Sequence, residues 1–174
     1  MRIYRVVNAA ELASAYASAV YSVALDGDTV RLRVGQPAID LEAYWPARNY
    51  VFLTAWNPAS QPHSDGANQT ADGLLVGELD AAGIARLAAC AESADGQWRE
   101  PGWLLADADD HLVDRLAGEF GQAGVLSWRC GEPVRLRMLV GCPQPVRLAE
   151  PVARYTDWAD SVATDQGTSA RAAL

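Results

Sequence analysis

The sequence contains no lysine, so each of its 14 basic residues is an arginine. This absence excludes a P-loop lysine, a Schiff-base lysine and a Ser-Lys catalytic pair. The 22 acidic residues outnumber the arginines and give a formal net charge of −8. Because nonspecific nucleic-acid binding depends on clustered positive charge, we expect no nucleic-acid partner. The nearest approach to a basic stripe, Arg129, Arg135 and Arg137, is interpreted as a solvated strand face.

Cysteine and histidine are also scarce. The three cysteines, Cys90, Cys130 and Cys142, are widely spaced and form no C-x-x-C pair. The two histidines, His63 and His111, are expected to be solvated, although His63 follows an apolar stretch and would reach a site there. No spacing typical of metal ligands occurs, so we predict neither a metal site nor a cofactor.

Long apolar runs are missing as well. No segment reaches the roughly 18 apolar residues of a membrane-spanning helix, and the N-terminus lacks the apolar core of a signal peptide. From these features we expect a cytoplasmic protein with no membrane association.

The alternation of apolar and polar residues indicates an α/β (α+β) fold. We predict a single domain over residues 1–140, in which a mixed β-sheet of about six strands with two hairpins is packed by about three helices. Residues 141–174 are predicted to form a C-terminal extension that is Pro-rich, then polar and flexible, with one short helix near 155–162. The expected strands and hairpins lie at 20–34, 50–56, 84–90, 103–106 and 125–139, and the main helices lie at 8–18, 65–82 and after a cap at Asp107.

We interpret the stretch Tyr50 to Pro58 as the one around which the chain is organised, because this apolar run ends abruptly in polar, turn-forming residues. Polar side chains recur at the ends of the predicted elements, where ligands bind in open α/β sheets. We expect these side chains to surround a small polar ligand, with Glu100 as the candidate catalytic residue. The expected ligand-binding residues are Thr54, Trp56, Asn57, Ser60, Asn68, Trp98 and Gln122.

Each of these residues also has a purely structural interpretation. Asn57 precedes a proline and is a common turn residue; Asn68 lies near a helix start and would serve as a cap; Gln122 follows a helix-ending glycine and would bind loop carbonyls. For Glu100 the neighbouring Trp98 and Pro101 favour partial burial. A desolvated carboxyl has a raised pKa and can act as a general acid or base.

Four motifs in a fixed order resemble a bacterial family known as domain of unknown function 3293. They are Thr54-Ala-Trp-Asn-Pro58, Asn68, Trp98-Arg-Glu100 and Phe120-Gly-Gln122, and the resemblance covers roughly residues 16–139. It implies no activity, because the family name records none. One departure is Gly102, where the family pattern leads us to expect a serine.

Three functions remain open. A small-molecule-binding or regulatory domain predicts a Glu100 that is ion-paired, for example to Arg48 or Arg99. An acid–base or hydrolytic enzyme acting on a polar metabolite predicts a Glu100 that is unpaired, faces the cavity and has a raised pKa. A protein-interaction module predicts an exposed apolar patch instead of a pocket.

Overall fold

A single β-sheet of eight strands carries the fold in the computed structural model, which describes residues 8–143 and 148–159. Within these ranges the four α-helices are α1 (Ala9–Ser18), α2 (Ile39–Tyr44), α3 (Asp65–Ala81) and α4 (Asp110–Glu119). The strands are β1 (Val20–Ala24), β2 (Thr29–Leu32), β3 (Asn49–Leu53), β4 (Arg86–Glu92), β5 (Arg99–Ala106), β6 (Gly124–Arg129), β7 (Arg135–Met138) and β8 (Thr156–Trp158). Short 3-10 turns occupy Pro58–Ser60 and Val152–Tyr155.

The strands follow the order β2-β1-β4-β5-β3-β6-β7-β8. Every neighbouring pair is antiparallel except β7 and β8, which are parallel. The sheet is therefore mixed, and the predicted α/β (α+β) class is confirmed, with eight strands instead of about six and four helices instead of about three. The mostly antiparallel arrangement means that the rule for ligand sites in parallel sheets does not apply here.

Helices cover both faces of the sheet, because the central strand β3 is apolar on both sides. Its Tyr50 and Phe52 belong to one buried cluster, together with Ala13 of α1 and Leu41 of α2. Its alternate residues, including Leu53, belong to a second cluster that contains side chains of α3 and α4. A strand buried on both faces loses the usual alternation of polar residues, which explains the continuous apolar run in the sequence.

We expected a short helix near 155–162, and this expectation is wrong for the residues that the structure describes. Thr156 and Trp158 are buried and Asp157 points outward, where its carboxylate accepts two hydrogen bonds from Arg135, each 2.7 Å long. This period of two is a strand pattern, and β8 pairs with β7. Residues 160–162 of that expectation lie outside the described residues. The division of the chain at residue 140 stays a prediction.

Two further elements differ from the expectation. The helix α4 is capped by Asp109, whose Oδ1 accepts hydrogen bonds from the N–H groups of His111 and Leu112. The expected cap, Asp107, instead adopts a positive φ of 53° and accepts a 2.8 Å hydrogen bond from the Arg48 N–H. In addition, β5 begins at Arg99 instead of at 103, so Glu100 lies within a strand.

No helix in the described ranges has both the length and the apolar character needed to cross a bilayer.

Candidate functional site

The chain turns sharply where β3 ends, and Thr54 holds this turn. Its hydroxyl donates a 2.6 Å hydrogen bond to the carbonyl oxygen of Pro101 and accepts a 3.0 Å hydrogen bond from the Trp56 N–H. The buried hydroxyl thus finds its partners in the backbone. This arrangement joins the end of β3 to the beginning of β5, which brings the loop after residue 54 close to Glu100.

The loop at Asn57–Ser60 contains three residues other than glycine in the left-handed region. The φ angles of Asn57, Ala59 and Ser60 are 48°, 54° and 56°. Such angles are sterically unfavourable for residues with a side chain, although asparagine tolerates them best. The loop is held from outside, since the Ala59 N–H donates a 2.7 Å hydrogen bond to the carbonyl oxygen of Gly121. Strained loops of this kind are concentrated at functional sites.

A reciprocal pair of buried amides fixes this loop to helix α3. The Asn57 N–H donates to Asn68 Oδ1, and Asn68 Nδ2 donates to Asn57 Oδ1, both at 3.0 Å. The same Asn57 oxygen also accepts a hydrogen bond from the His63 N–H. Asn68 therefore does not cap α3; that role belongs to Ser64, whose hydroxyl accepts a hydrogen bond from the Ala67 N–H.

The amide of Asn57 continues the network to Glu100. Asn57 Nδ2 donates a 2.9 Å hydrogen bond and Trp98 Nε1 a 2.7 Å hydrogen bond, and both reach the same carboxylate oxygen, Oε1. Within the described part of the chain, Oε2 accepts no hydrogen bond. Burial raises the pKa of the Glu100 carboxyl, and the hydrogen bonds from Asn57 and Trp98 only partly oppose that rise.

Glu100 is not part of an ion pair among residues 8–143 and 148–159. Arg48, one of its two expected partners, pairs instead with Asp107, with 3.2 Å between Arg48 Nε and Asp107 Oδ1. The other, Arg99, is exposed on β5. The ion-paired arrangement that we expected for a binding or regulatory domain is thus not what the structure shows, whereas an unpaired carboxyl of raised pKa is the arrangement expected for an enzyme.

Gln122 connects the segment after α4 with the loop after β3. Its Nε2 donates hydrogen bonds to the carbonyl oxygens of Trp56 and Phe120, at 3.0 and 3.2 Å. The neighbouring Gly121 has a φ of +62°, and a Cβ there would lie 3.0 Å from Cβ of Pro58. The four motifs noted in the sequence therefore meet in one place, and the amide of Gln122 binds loop carbonyls there.

A cavity of about 280 Å³ opens beside this network, on the face of the sheet covered by α1. Its walls are mostly apolar and aromatic. Glu100, Ser60 and Tyr16 line one part of it, here called the polar end. The hydroxyls of Ser60 and Tyr16 share a hydrogen bond, and burial raises the pKa of the Tyr16 hydroxyl, to which the nearby Glu100 carboxylate adds. Thr54, Trp98 and Gln122 also line the cavity, whereas Asn57, Asn68 and Trp56 do not. Asn57 and Asn68 support the cavity from behind.

The apolar wall was missed in the sequence. Leu12, Ala15 and Tyr16 of helix α1, and Ala19 directly after it, contribute to this wall. These residues are spaced i, i+3, i+4 and i+7, which is the pattern of one helix face and was available in the sequence. The sequence could not show that this face covers the beginning of β5, because that packing depends on long-range strand pairing.

Gly102, the departure from the family pattern, lies in close contact with the neighbouring strand. A Cβ at this position would be 2.8 Å from the carbonyl oxygen of Leu53 and 2.9 Å from Cζ of Phe52. A serine would therefore require the strands to shift. In this chain the glycine permits the close approach of β3 and β5.

A larger groove, of about 510 Å³, lies elsewhere on the opposite face of the sheet and is lined by arginines and aspartates. Its charges largely neutralise one another: Arg48 pairs with Asp107, Arg135 with Asp157, and Arg137 with Asp110 and Asp114. The basic stripe of the sequence is thus mostly an ion-paired surface. Despite its size, this groove contains none of the converging motif residues, so we place the candidate site at the smaller cavity.

The described residues include no group of three or more His, Cys, Asp or Glu side chains placed to hold a metal ion.

A family model described as Protein of unknown function (DUF3293) matches residues 53–125, which confirms the resemblance noted in the sequence. The matched segment contains every predicted site residue from Thr54 to Gln122, whereas Tyr16 lies before it. Neither a curated protein nor a solved structure matches the chain.

Proposed function

Because this chain carries a DUF3293 segment at residues 53–125, and the family description names no activity, we propose a function from the cavity itself. The cavity binds a small molecule whose polar end contacts Glu100 and whose body occupies the apolar walls. The sequence led us to expect a polar ligand. The mostly apolar walls restrict that polarity to one end of the molecule.

The observation that carries this proposal is the half-satisfied carboxyl of Glu100. Burial raises the pKa of this half-buried carboxyl, because desolvation disfavours its charged form. Oε1 has two partners, whereas Oε2 has none among the described residues. Since the Glu100 side chain lines the cavity, Oε2 is available to accept a hydrogen bond from a ligand. Groups with this combination of burial and perturbed pKa are concentrated at functional sites.

The surrounding network supports the proposal because it fixes the carboxyl in position. Asn57 is 8% exposed and Asn68 is 2% exposed, and their mutual hydrogen bonds hold the amide that contacts Glu100. Binding sites work best when a rigid second layer of residues fixes the groups that touch the ligand. A buried amide pair behind a single carboxyl is such a layer.

Thermal-shift screening against a broad panel of metabolites tests the proposal. A compound that binds the folded state selectively raises its melting temperature. We expect at least one such compound for the wild type, with a smaller shift for Glu100→Gln. The control is Glu132→Gln, which removes the same charge from an exposed position in the other groove. If every stabilising compound shifts Glu100→Gln as much as the wild type, the cavity is not the binding site.

Acid–base catalysis on the bound molecule is the second candidate, and the missing ion pair favours it. In this function Glu100 transfers a proton, and the hydroxyls of Tyr16 and Ser60 orient the substrate. Asn57 and Asn68 orient Glu100 itself instead of the substrate. An enzyme predicts that a compound found in the screen is converted by the wild type, and that Glu100→Gln binds it without converting it. Binding without conversion by the wild type supports a binding or regulatory domain.

A protein-interaction function has less support. The exposed large apolar side chains are Ile39 and Tyr44 of α2, Leu74 of α3 and Trp98 before β5. Their distribution over separate elements does not single out one surface, so a protein partner remains a prediction. No disulfide joins Cys90, Cys130 and Cys142 in the described part of the chain, which fits the predicted cytoplasmic location.

A further inference from the structure

The charged residues that line the cavity are acidic. They are Glu100 at the polar end and Glu92 on the neighbouring strand β4, and no arginine or histidine is among the lining residues that the structure describes. An anionic ligand would therefore meet like charge with no counterion among these residues. We propose, as an extension of the proposed function, that the occupant is an amine: a protonated nitrogen attached to an apolar body of roughly six to eleven non-hydrogen atoms.

The acceptors at the polar end match a protonated amine. An ammonium group has three N–H donors and accepts no hydrogen bond. Glu100 Oε2 is an acceptor with no partner among the described residues. The hydroxyl oxygens of Tyr16 and Ser60 keep further lone pairs after their mutual hydrogen bond. A single primary amine therefore has three acceptor oxygens available from groups that line one end of the same cavity.

The aromatic walls suit the same ligand class. Tyr16, Tyr21, Phe52 and Trp98 line the cavity, and the rings of Tyr21 and Phe52 pack edge to face with their centroids 5.1 Å apart. Aromatic faces attract cations and also pack against apolar groups. Since the Trp98 indole donates its N–H to Glu100, its ring is held next to the carboxyl that the amine would contact.

The volume sets the size of the body. An engineered protein cavity of about 150 Å³ binds benzene, a molecule of six carbon atoms. The cavity described here, at about 280 Å³, is nearly twice as large. An amine carried on one aromatic ring and a short alkyl chain, or on an indole, therefore fits this volume.

Isothermal titration calorimetry with matched probes tests the inference. The amines are hexylamine, 2-phenylethylamine and tryptamine, and the comparators are 2-phenylethanol and phenylacetate, which keep the ring but carry a neutral or an anionic end. We expect at least one amine to bind at least about tenfold more tightly than both comparators. Glu100→Gln should weaken that amine at least about tenfold, while the control Glu132→Gln should leave its affinity unchanged.

Two features of the variants keep the test decisive. In Glu100→Gln the carboxamide oxygen can still accept the hydrogen bonds of Asn57 and Trp98, with its NH₂ in the place of Oε2, so we expect the fold to persist. A second variant, Ala15→Phe, fills the cavity from α1 without altering the polar network. We expect it to abolish amine binding as well.

The outcomes separate this inference from the proposed function. If 2-phenylethanol or phenylacetate binds as tightly as the amines, and Glu100→Gln or Ala15→Phe weakens it, the amine assignment is wrong but the cavity remains a binding site. If an amine binds equally to the wild type and to both variants, it binds elsewhere and the inference is wrong. If none of the five probes binds, the amine assignment is wrong, whereas the proposed function is decided by the metabolite screen with Glu100→Gln.

Discussion

Replacing Asn68 with alanine should destabilise the whole protein, because its side-chain amide makes two buried hydrogen bonds with Asn57. The side chain is 2% exposed and exchanges two 3.0 Å hydrogen bonds with Asn57. Loss of the first leaves the buried Asn57 N–H without a partner, at a cost of about 1–3 kcal/mol. Loss of the second costs less, about 1 kcal/mol, since Asn57 Oδ1 keeps the His63 N–H.

Together these terms predict that Asn68→Ala lowers the free energy of unfolding by about 2–4 kcal/mol. For a domain of this size the melting temperature should fall by roughly 5–15 °C. Urea denaturation followed by tryptophan fluorescence measures the change, provided that the dependence on urea concentration keeps the same slope. The matched control is Thr70→Ala, two residues further along α3 and exposed, which should change the stability by less than about 0.5 kcal/mol.

A second variant separates hydrogen bonding from volume. Asn68→Asp keeps an acceptor for the Asn57 N–H but places a carboxylate oxygen against Asn57 Oδ1, so at neutral pH it should be at least as unstable as Asn68→Ala. The reasoning is refuted if Asn68→Ala stays within about 0.5 kcal/mol of the wild type, because a buried amide pair without energetic value would not hold the loop.

Three further predictions follow from the same structure. Because the pKa of Glu100 is raised in the folded state, its favourable contribution to the free energy of unfolding is present below the unfolded pKa, about 4.3, and is lost as the pH rises through the folded pKa. The free energy of unfolding of Glu100→Gln, measured between about pH 4 and 8, should lack this loss. A pH dependence equal to that of the wild type would contradict the burial of the carboxyl. Gly102→Ser should cost about 1–3 kcal/mol in urea denaturation, because its Cβ would crowd the Leu53 carbonyl, and a neutral effect would show that β3 and β5 can separate freely. Trp158→Ala should cost about 3–5 kcal/mol if β8 belongs to the core, whereas a loss below about 1 kcal/mol would support an independent C-terminal extension.

The local parts of this fold could be predicted because they depend on neighbouring residues. The helix α1 begins with Asn8, whose side chain accepts a hydrogen bond from the Glu11 N–H, and the hairpin at 20–34 turns at Asp26-Gly27. The polar residues at the ends of elements also converge as the sequence suggested. Their roles were harder to predict, since the same amide can bind a ligand or a backbone group. Asn68 and Gln122 bind protein groups.

The rest depended on strand pairing. Pro101 and Gly102 disfavour a strand interior, so the beginning of β5 was not expected. The structure accommodates Pro101 because β3 ends at Leu53, opposite Trp103, and leaves that side of β5 without a strand neighbour. There the Pro101 carbonyl binds Thr54. Only this pairing brings α1 over Glu100 and forms an apolar cavity, which no local pattern could reveal.

The most direct test of the binding cavity is the indole resonance of Trp98 in a ¹H–¹⁵N correlation spectrum. Its Nε1–H bonds to Glu100, whereas the indole N–H groups of Trp103 and Trp128 bond to Asp72 and Glu42, away from the cavity. On titration with 2-phenylethylamine, 2-phenylethanol and phenylacetate in turn, the account predicts that at least one shifts the Trp98 signal and leaves the other two in place. No shift of Trp98 with any of the three, or equal shifts of all three indoles, would contradict it.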